Sequence, residues 1–234
     1  MYMETETFIE FLRANKNPKK ISGMEKYMRN QFKFLGIQAA ERRELARLFL
    51  NQLTKKTRER WKNKSDSNQS VVGWETLFFL WELPEREFQL VGIDYLKRVQ
   101  EYFVLEDLKH LKQLVLTKSW WDTVDSLAKN VGTIVSKEPK LTETMRDWSV
   151  DSNLWIRRVS ILHQLSLKEK TNKELLAEVI LNNVDDEEFF IRKAIGWALR
   201  EYAKTNEQWV VDFVEINKED LSPLSYREAT KNIR

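Results

Sequence analysis

Residues 118–126 form the densest group of side chains that could do chemistry in this chain. Trp121 and Asp125 are four residues apart, so on a helix they share one face, a turn apart. An indole face and a carboxylate both attract positive charge. The spacing therefore indicates a pair suited to stabilising a cation. Simpler interpretations stay open: core packing for Trp120, a helix cap for Asp122 and a surface salt bridge for Asp125.

A second candidate is Trp197, which falls among cations instead of on the apolar side of its segment. The apolar stripe of this segment consists of Ile191, Ala194, Ile195, Ala198 and Tyr202. The other side carries Lys193, Arg200 and Lys204 beside Trp197. Gly196 costs about 1 kcal/mol in a helix relative to Ala. We therefore expect a ligand or another backbone to approach it closely, tight helix packing being the simpler alternative. A third candidate, Tyr27, fits a core or a cleft equally well.

The elements that must position these residues are helices. Apolar residues recur with helical period in nearly every segment, and sustained alternation is absent from the sequence. The prolines lie near the starts of periodic segments, where a missing N–H is harmless, and polar runs at 151–153 and 185–187 resemble helix N-termini. The polar stretch 54–70 predicts a charged helix tail followed by a loop. The sequence therefore predicts an all-α chain that forms a single domain over residues 1–234.

An internal repeat refines this prediction. Residues 154–159 align with residues 189–194 at an offset of 35, and the same offset leads to residues 225–229. Helix pairs of this length stack into a right-handed superhelical α-solenoid of HEAT-like pairs. One helix of each pair would line a concave basic groove. The cations expected near that groove are Arg157, Arg158, Arg192, Lys193 and Arg227, although a solvated face is the simpler reading for any single one.

Composition excludes several classes of site. The chain has 234 residues, no Cys and 2 His, which argues against thiol chemistry, thiolate metal sites and a Ser-His-Asp triad. The 6 Gly and 4 Pro argue against a β-sandwich or barrel. The net charge is only +3, so any basic surface must be local. The sequence has no apolar stretch of bilayer-spanning length, and we expect a soluble cytoplasmic protein.

The candidate segments together resemble the AlkD-type DNA alkylation repair glycosylases, from near Asn17 to the C-terminus. The motifs of the first half are Tyr27-Met28, Phe34-Leu35-Gly36-Ile37-Gln38, Leu83-Pro84-Glu85-Arg86-Glu87-Phe88-Gln89, Lys118-Ser119-Trp120-Trp121-Asp122 and Val124-Asp125-Ser126. Those of the second half are Asn153, Trp155 and Arg158, Phe189-Phe190-Ile191, Lys193-Ala194-Ile195-Gly196-Trp197, residues 199–206, Pro223-Leu224-Ser225 and Arg227-Glu228-Ala229. Long motifs in matching order make the resemblance specific.

The resemblance implies a HEAT-like solenoid that holds duplex DNA and releases cationic N3- and N7-alkylated purines by hydrolysis of the N-glycosidic bond, without drawing the base into a pocket. By motif position, Asp125 matches the catalytic carboxylate, and Trp121 and Trp197 match two cleft tryptophans. Arg158 matches a DNA-contacting arginine and Tyr27 a cleft tyrosine. Arg157, Arg192, Lys193, Arg200 and Arg227 complete the predicted DNA-binding set. The expected partner is duplex DNA containing alkylated purines, bound by a DNA-associated monomer of bacterial type that needs no cofactor, metal or membrane.

Two other functions fit the same sequence. One is a catalytically silent repeat protein that binds distorted duplex DNA, against which the retained Trp121, Asp125 and Trp197 argue. The other is a HEAT-type protein scaffold, for which we would expect an apolar groove in place of the arginines. Release of a damaged base separates the first alternative from an enzyme, and salt-dependent DNA binding separates the second.

Overall fold

The computed structural model describes residues 3–233, which form fourteen α-helices and three short 3₁₀ turns. Within that range, extended residues pair only at the isolated bridge between Lys33 and Glu85. The predicted all-α class is therefore confirmed. The chain divides into two compact units, Met1–His110 and Leu111–Arg234, and the single domain over residues 1–234 stays a prediction.

The first unit contains six complete helices and the start of a seventh. They are α1 (Thr5–Ala14), α2 (Pro18–Tyr27), α3 (Ala39–Leu45), α4 (Arg47–Asn63), α5 (Trp74–Glu82), α6 (Arg86–Val99) and α7 (Asp107–Leu116). Helices α3, α4 and α5 each pack against α6, whose inner face is fully buried. The charged tail predicted from residue 54 is the second half of α4, and a loop follows it. That loop is tied down at Ser70, whose hydroxyl donates to the buried carboxylate of Asp107.

The motif at residues 34–38 owes its character to one buried acid. The backbone N–H groups of Leu35, Gly36 and Ile37 all donate to the carboxylate of Glu87 at 3.0–3.1 Å. Gly36 has φ +85°, and a Cβ there would lie 2.2 Å from the carbonyl oxygen of Asn17, so only glycine fits. Burial raises the pKa of Glu87, and the backbone hydrogen bonds oppose that rise. This motif therefore anchors a loop to α6.

The second unit consists of seven helices after the end of α7. They are α8 (Trp121–Val135), α9 (Thr142–Ser149), α10 (Leu154–Leu162), α11 (Lys173–Leu181), α12 (Phe189–Ala203), α13 (Glu207–Ile216) and α14 (Pro223–Thr230). Helices α8, α10, α12 and α14 pack side by side in that order, with α9, α11 and α13 against them or each other. This is the helix-pair stacking of an α-solenoid.

Local capping explains where the stacked helices begin. Asn153 accepts hydrogen bonds from the N–H groups of Trp155 and Ile156, which confirms the helix start predicted at residues 151–153. The side chains of Asn172, Asn206 and Ser222 cap α11, α13 and α14 in the same way. Each cap satisfies a backbone donor that would otherwise lack an intrahelical partner. Side-chain caps therefore define the starts of these four helices, whereas α8 and α12 begin without one.

Two glycines let the stacked helices approach closely. A Cβ on Gly132 of α8 would lie 1.9 Å from the carbonyl oxygen of His163 at the end of α10. A Cβ on Gly196 of α12 would lie 2.4 Å from Cβ of Glu228 and 2.8 Å from the carbonyl oxygen of Ser225. The close approach predicted at Gly196 is confirmed, and the structure assigns it to helix packing against α14 and not to a ligand.

His163 makes the stability of the second unit sensitive to mild acid. Its ring is buried, its Nδ1 lies 2.6 Å from the carbonyl oxygen of Ser160, and burial lowers its pKa to about 4. An unfolded chain would protonate it near pH 6.5. The unfolded state therefore gains a proton first as pH falls, and up to about 3 kcal/mol of stability is lost between about pH 6.5 and pH 4.

Urea unfolding at pH 7 and pH 5 measures this effect. We expect His163→Gln to lose much of the difference in unfolding free energy between the two pH values. His110→Gln, which changes the other histidine of the chain, is the matched control and should keep most of it. Identical pH dependence in the wild type and His163→Gln would exclude His163 as its source.

Candidate functional site

A buried ion pair between two stacked helices forms the centre of the candidate site. The Nε of Arg158 on α10 donates to Oδ1 of Asp125 on α8 at 2.7 Å, and Nη2 donates to Oδ2 at 2.9 Å. Only 5% of the Arg158 side chain and 16% of the Asp125 side chain are exposed. This two-point pairing fixes the plane of the carboxylate.

The same arginine also reaches a third helix. Its Nη1 donates to the backbone carbonyl of Phe190 in the first turn of α12, and its guanidinium lies 5.8 Å from the centroid of the Phe190 ring. Asp125, Arg158 and Phe190 therefore connect α8, α10 and α12. The sequence predicted Arg158 as a DNA contact, whereas its donors in this structure are directed at protein groups inside the stack.

The electrostatic setting of Asp125 combines two opposing effects. Burial raises the pKa of Asp125 above its ordinary value, the hydrogen bonds and charge of Arg158 lower it, and the nearby charge of Asp122 raises it. When it is ionised, a carboxylate in this region of low dielectric interacts with another charge more strongly than it would in water. The arrangement can stabilise a cation that forms beside it.

Three aromatic side chains pack together at the N-terminus of α8. Trp120 is the residue before the first turn, in an extended conformation, and its ring lies 5.8 Å from that of Trp155 and 5.1 Å from that of Phe190. The rings of Trp155 and Phe190 are 5.0 Å apart. This cluster gives Trp120 the packing role that the sequence suggested. It leaves Trp121, the first residue of α8, half-buried and one turn before Asp125.

Trp197 lies on α12, seven residues after Phe190. Seven residues make almost two full turns, so the two aromatic residues share one face of the helix. The Trp197 side chain is half-buried, and it makes no hydrogen bond or ring contact with any residue between 3 and 233. Its indole is therefore available to a ligand.

The three arginines of the predicted repeat are not equivalent. Arg157 donates to the Asp186 carboxylate at 2.7 and 3.1 Å and to the carbonyl of Asp151. Arg192 donates to the carbonyl of Asp186 at 2.8 Å. Arg157 and Arg192 thus brace the loop before α12, while Arg227 is exposed and forms no ion pair within the described residues. Asp186, their shared partner, could not be predicted from helical spacing, because it lies on a loop between repeats.

Lys193 and Arg200 converge on Glu228 of α14. Lys193 Nζ lies 3.0 Å from Glu228 Oε1, and Arg200 Nη1 donates to the other carboxylate oxygen. The hydrogen bond from Arg200, followed by that from Lys193, lowers the pKa of Glu228 to about 2. Two cations against one anion leave a net positive charge. The sequence analysis did not identify Glu228 as a site residue. Its only signal in the sequence is its place beside Arg227 in the motif Arg227-Glu228-Ala229.

Tyr27 is the last residue of α2 in the first unit, and 72% of it is exposed. Its role as a cleft residue stays a prediction.

Between residues 3 and 233 the structure brings together no group of three or more His, Cys, Asp or Glu side chains that could hold a metal ion. In the same range no helix combines the length and apolar character needed to cross a membrane.

Comparison with known proteins connects this geometry to a family. Residues 8–233 match the family described as DNA alkylation repair enzyme. Among solved structures, the chain is similar to a predicted DNA alkylation repair enzyme from Enterococcus faecalis, with 37% sequence identity, a TM-score of 0.79, and coverage of 93% of this chain and 96% of that one. It shares its fold with smu.31 from Streptococcus mutans UA159, at 20% identity, a TM-score of 0.55, and coverage of 82% and 99%.

A search of curated proteins gave no match. The family match spans nearly the whole chain and includes Trp121, Asp125, Arg158 and Trp197. The chain belongs to the DNA alkylation repair enzyme family.

Proposed function

We propose that this protein is a monofunctional DNA glycosylase that hydrolyses the N-glycosidic bond of cationic N3- and N7-alkylated purines in duplex DNA. The observation that carries the proposal is the buried carboxylate of Asp125, held at both oxygens by Arg158. Membership of a DNA alkylation repair family supports alkylated DNA as the substrate.

The chemistry needs little beyond a fixed negative charge. An alkylated purine already carries a positive charge, so it is a good leaving group. As the bond between C1′ and the purine nitrogen breaks, the electron pair leaves with the base and neutralises it, and positive charge develops on the deoxyribose. Asp125 stabilises that charge because it is preorganised and partly shielded from water. A water molecule oriented by the same carboxylate attacks C1′, and its extra proton passes to solvent.

The two tryptophans hold the damaged nucleotide from outside the base stack. Trp121 lies one turn from Asp125 on α8, and the half-buried indole of Trp197 on α12 makes no hydrogen bond or ring contact with residues 3–233. Both faces attract a cationic sugar and exclude water from it. We infer that they pack on the sugar and phosphate of the lesion and that the base is not drawn into an enclosed pocket.

Arg158 acts in this scheme as a positioning residue. Its Nε and Nη2 hold Asp125 and its Nη1 holds the Phe190 carbonyl, so it orients the carboxylate and does not itself contact the substrate. Arg227, which is exposed, and the net positive group of Lys193, Arg200 and Glu228 are the candidates for phosphate contacts in the second unit.

Release of free base from methylated duplex DNA tests the proposal directly. We expect the wild type to liberate 3-methyladenine or 7-methylguanine and leave an intact strand with an abasic site, detected by chromatography of the supernatant and a denaturing gel. Binding of the same duplex without release would favour the catalytically silent DNA-binding protein.

Trp197 offers a graded test of the same site. We expect Trp197→Ala to slow base release about tenfold or more, because the attraction of an indole face for a desolvated cation contributes about 2 kcal/mol. Trp197→Phe is the matched control, since it keeps an aromatic face, and should retain most of the activity. An alanine variant as fast as the wild type in single-turnover assays would remove Trp197 from the site.

A further inference from the structure

Helix α4 concentrates positive charge in the first unit. The segment from Arg47 to Lys64 carries seven basic residues and one acidic residue, a net charge of +6. The net charge of the whole chain is +3, so all other residues together are negative. A charge excess of this size on one helix and the residue that follows it, in a nearly neutral protein, indicates a polyanionic partner.

Three of the cations of α4 lie on one face of the helix with Asn51. Arg47, Asn51, Lys55 and Arg58 follow one another at spacings of four, four and three residues, which places them on a single face of the helix. Arg98 of α6 lies beside them and donates to Asn51 Oδ1 at 2.8 Å. Together with Thr54 these residues line an open groove of about 540 Å³. We call this surface the α4 stripe.

Little of the charge on the α4 stripe is neutralised. Arg47 lies 3.2 Å from Glu44 and Lys55 lies 3.8 Å from Glu59, but these two glutamates are 70% and 58% exposed. Exposed pairs of this kind contribute little to stability and are easily exchanged. Arg58 forms no ion pair with any residue that the structure describes. The stripe therefore keeps cations ready to contact phosphate groups.

We propose that the α4 stripe is a binding surface for the phosphate backbone of duplex DNA, additional to the residues around Asp125. The inference rests on the proposed function, because that function supplies the DNA. Arg47 and Arg58 are separated by about 16 Å along the helix, a length over which duplex DNA presents several phosphates. Guanidinium groups bind phosphate at two points, and the uncharged side chain of Asn51 can add a hydrogen bond.

An anionic membrane is the other polyanion to consider, and α4 does not suit it. A helix that lies on a lipid surface needs an apolar face turned to the lipid. The apolar face of α4 is occupied, since Phe49 and Leu50 are buried within the first unit. The exposed face carries one large apolar side chain, Leu48, among cationic and polar ones, which is too little for a lipid surface and favours a nucleic acid.

The salt dependence of binding to an undamaged duplex tests the proposal. The variant is Arg47→Gln combined with Lys55→Gln and Arg58→Gln. The matched control removes three exposed cations of the second unit, by Lys170→Gln, Lys173→Gln and Lys218→Gln. We expect the slope of log affinity against log salt to fall by about 2–3 in the α4 variant, since each phosphate contact contributes about 0.9, and to stay near the wild-type value in the control.

Equal slopes in the wild type and the α4 variant would overturn the proposal, as would an equal loss of slope in the control variant. Loss of binding to phosphatidylserine vesicles with unchanged duplex binding would also overturn it, in favour of a lipid surface. Circular dichroism melting establishes that both variants are folded. The duplex in this binding experiment is undamaged, so its result does not depend on base release. If the wild type released no base, the proposed glycosylase activity would be wrong, and the comparison of salt slopes would still test the α4 stripe.

Discussion

Asp125→Asn is expected to reduce the release of 7-methylguanine from methylated duplex DNA by at least about 100-fold. The substitution keeps the shape of the side chain and removes the negative charge that stabilises the developing sugar cation, and losses of this size follow removal of one preorganised electrostatic group. Single-turnover release, followed by chromatography of the free base, is the measurement. Retention of full activity would overturn the assignment of Asp125.

The same substitution leaves Arg158 with a neutral partner. The amide oxygen of the new side chain can still accept one hydrogen bond, and the Phe190 carbonyl still accepts another. We therefore expect the variant to fold with reduced stability, which a thermal melt before the assay measures. Asp122→Asn makes the same chemical change on the first turn of α8. It should keep release within a few-fold of the wild type.

Arg158→Gln is expected to act on both stability and pH dependence. Removing one partner of a buried ion pair costs about 3–5 kcal/mol, because the other charge stays buried without compensation. Burial already raises the pKa of Asp125, and Arg158 is what opposes that rise. Without the arginine the pKa of Asp125 should rise further. Base release, which requires the ionised carboxylate, should then decline at higher pH than in the wild type as the solution is acidified.

A pH profile of single-turnover release for the wild type, Arg158→Gln and Arg158→Lys separates positioning from general damage. Lysine restores the charge but not the two-point geometry, so its acidic limb should lie between those of the other two proteins. If Arg158→Gln lowered the rate of base release equally at every pH, without moving the acidic limb of the profile, the arginine would have only a structural role. If the substitution increased only the apparent KM, the result would instead support the direct contact between Arg158 and DNA that the sequence predicts.

The local features of the site could be predicted because they depend on one helix at a time. Trp121 and Asp125 share a face of α8 by their spacing, and Asn153 starts α10 because its side chain satisfies the first backbone donors. The apolar and cationic sides of the segment around Trp197 follow from the helical period in the same way. The family resemblance added roles to these positions, and the comparisons confirm the family.

Partners across helices could not be predicted in this manner. Arg157 and Arg158 are adjacent in sequence, yet one pairs with Asp186 and the other with Asp125. Adjacent residues on a helix diverge by about 100°, and which neighbouring helix each side chain meets depends on how the helices are stacked. For the same reason, Glu228 could not be predicted as the partner of Lys193 and Arg200.

Periodicity and local capping are properties of neighbouring residues, so they were enough to predict the helices, their repeat and the chemical types of the candidate residues. Packing between helices was needed to show that Arg158 holds Asp125, that Gly196 makes room for α14, and that Trp197 makes no hydrogen bond or ring contact with residues 3–233. The register between packed helices determines these contacts, and that register depends on close approaches such as the one at Gly132, which involve residues far apart in the chain.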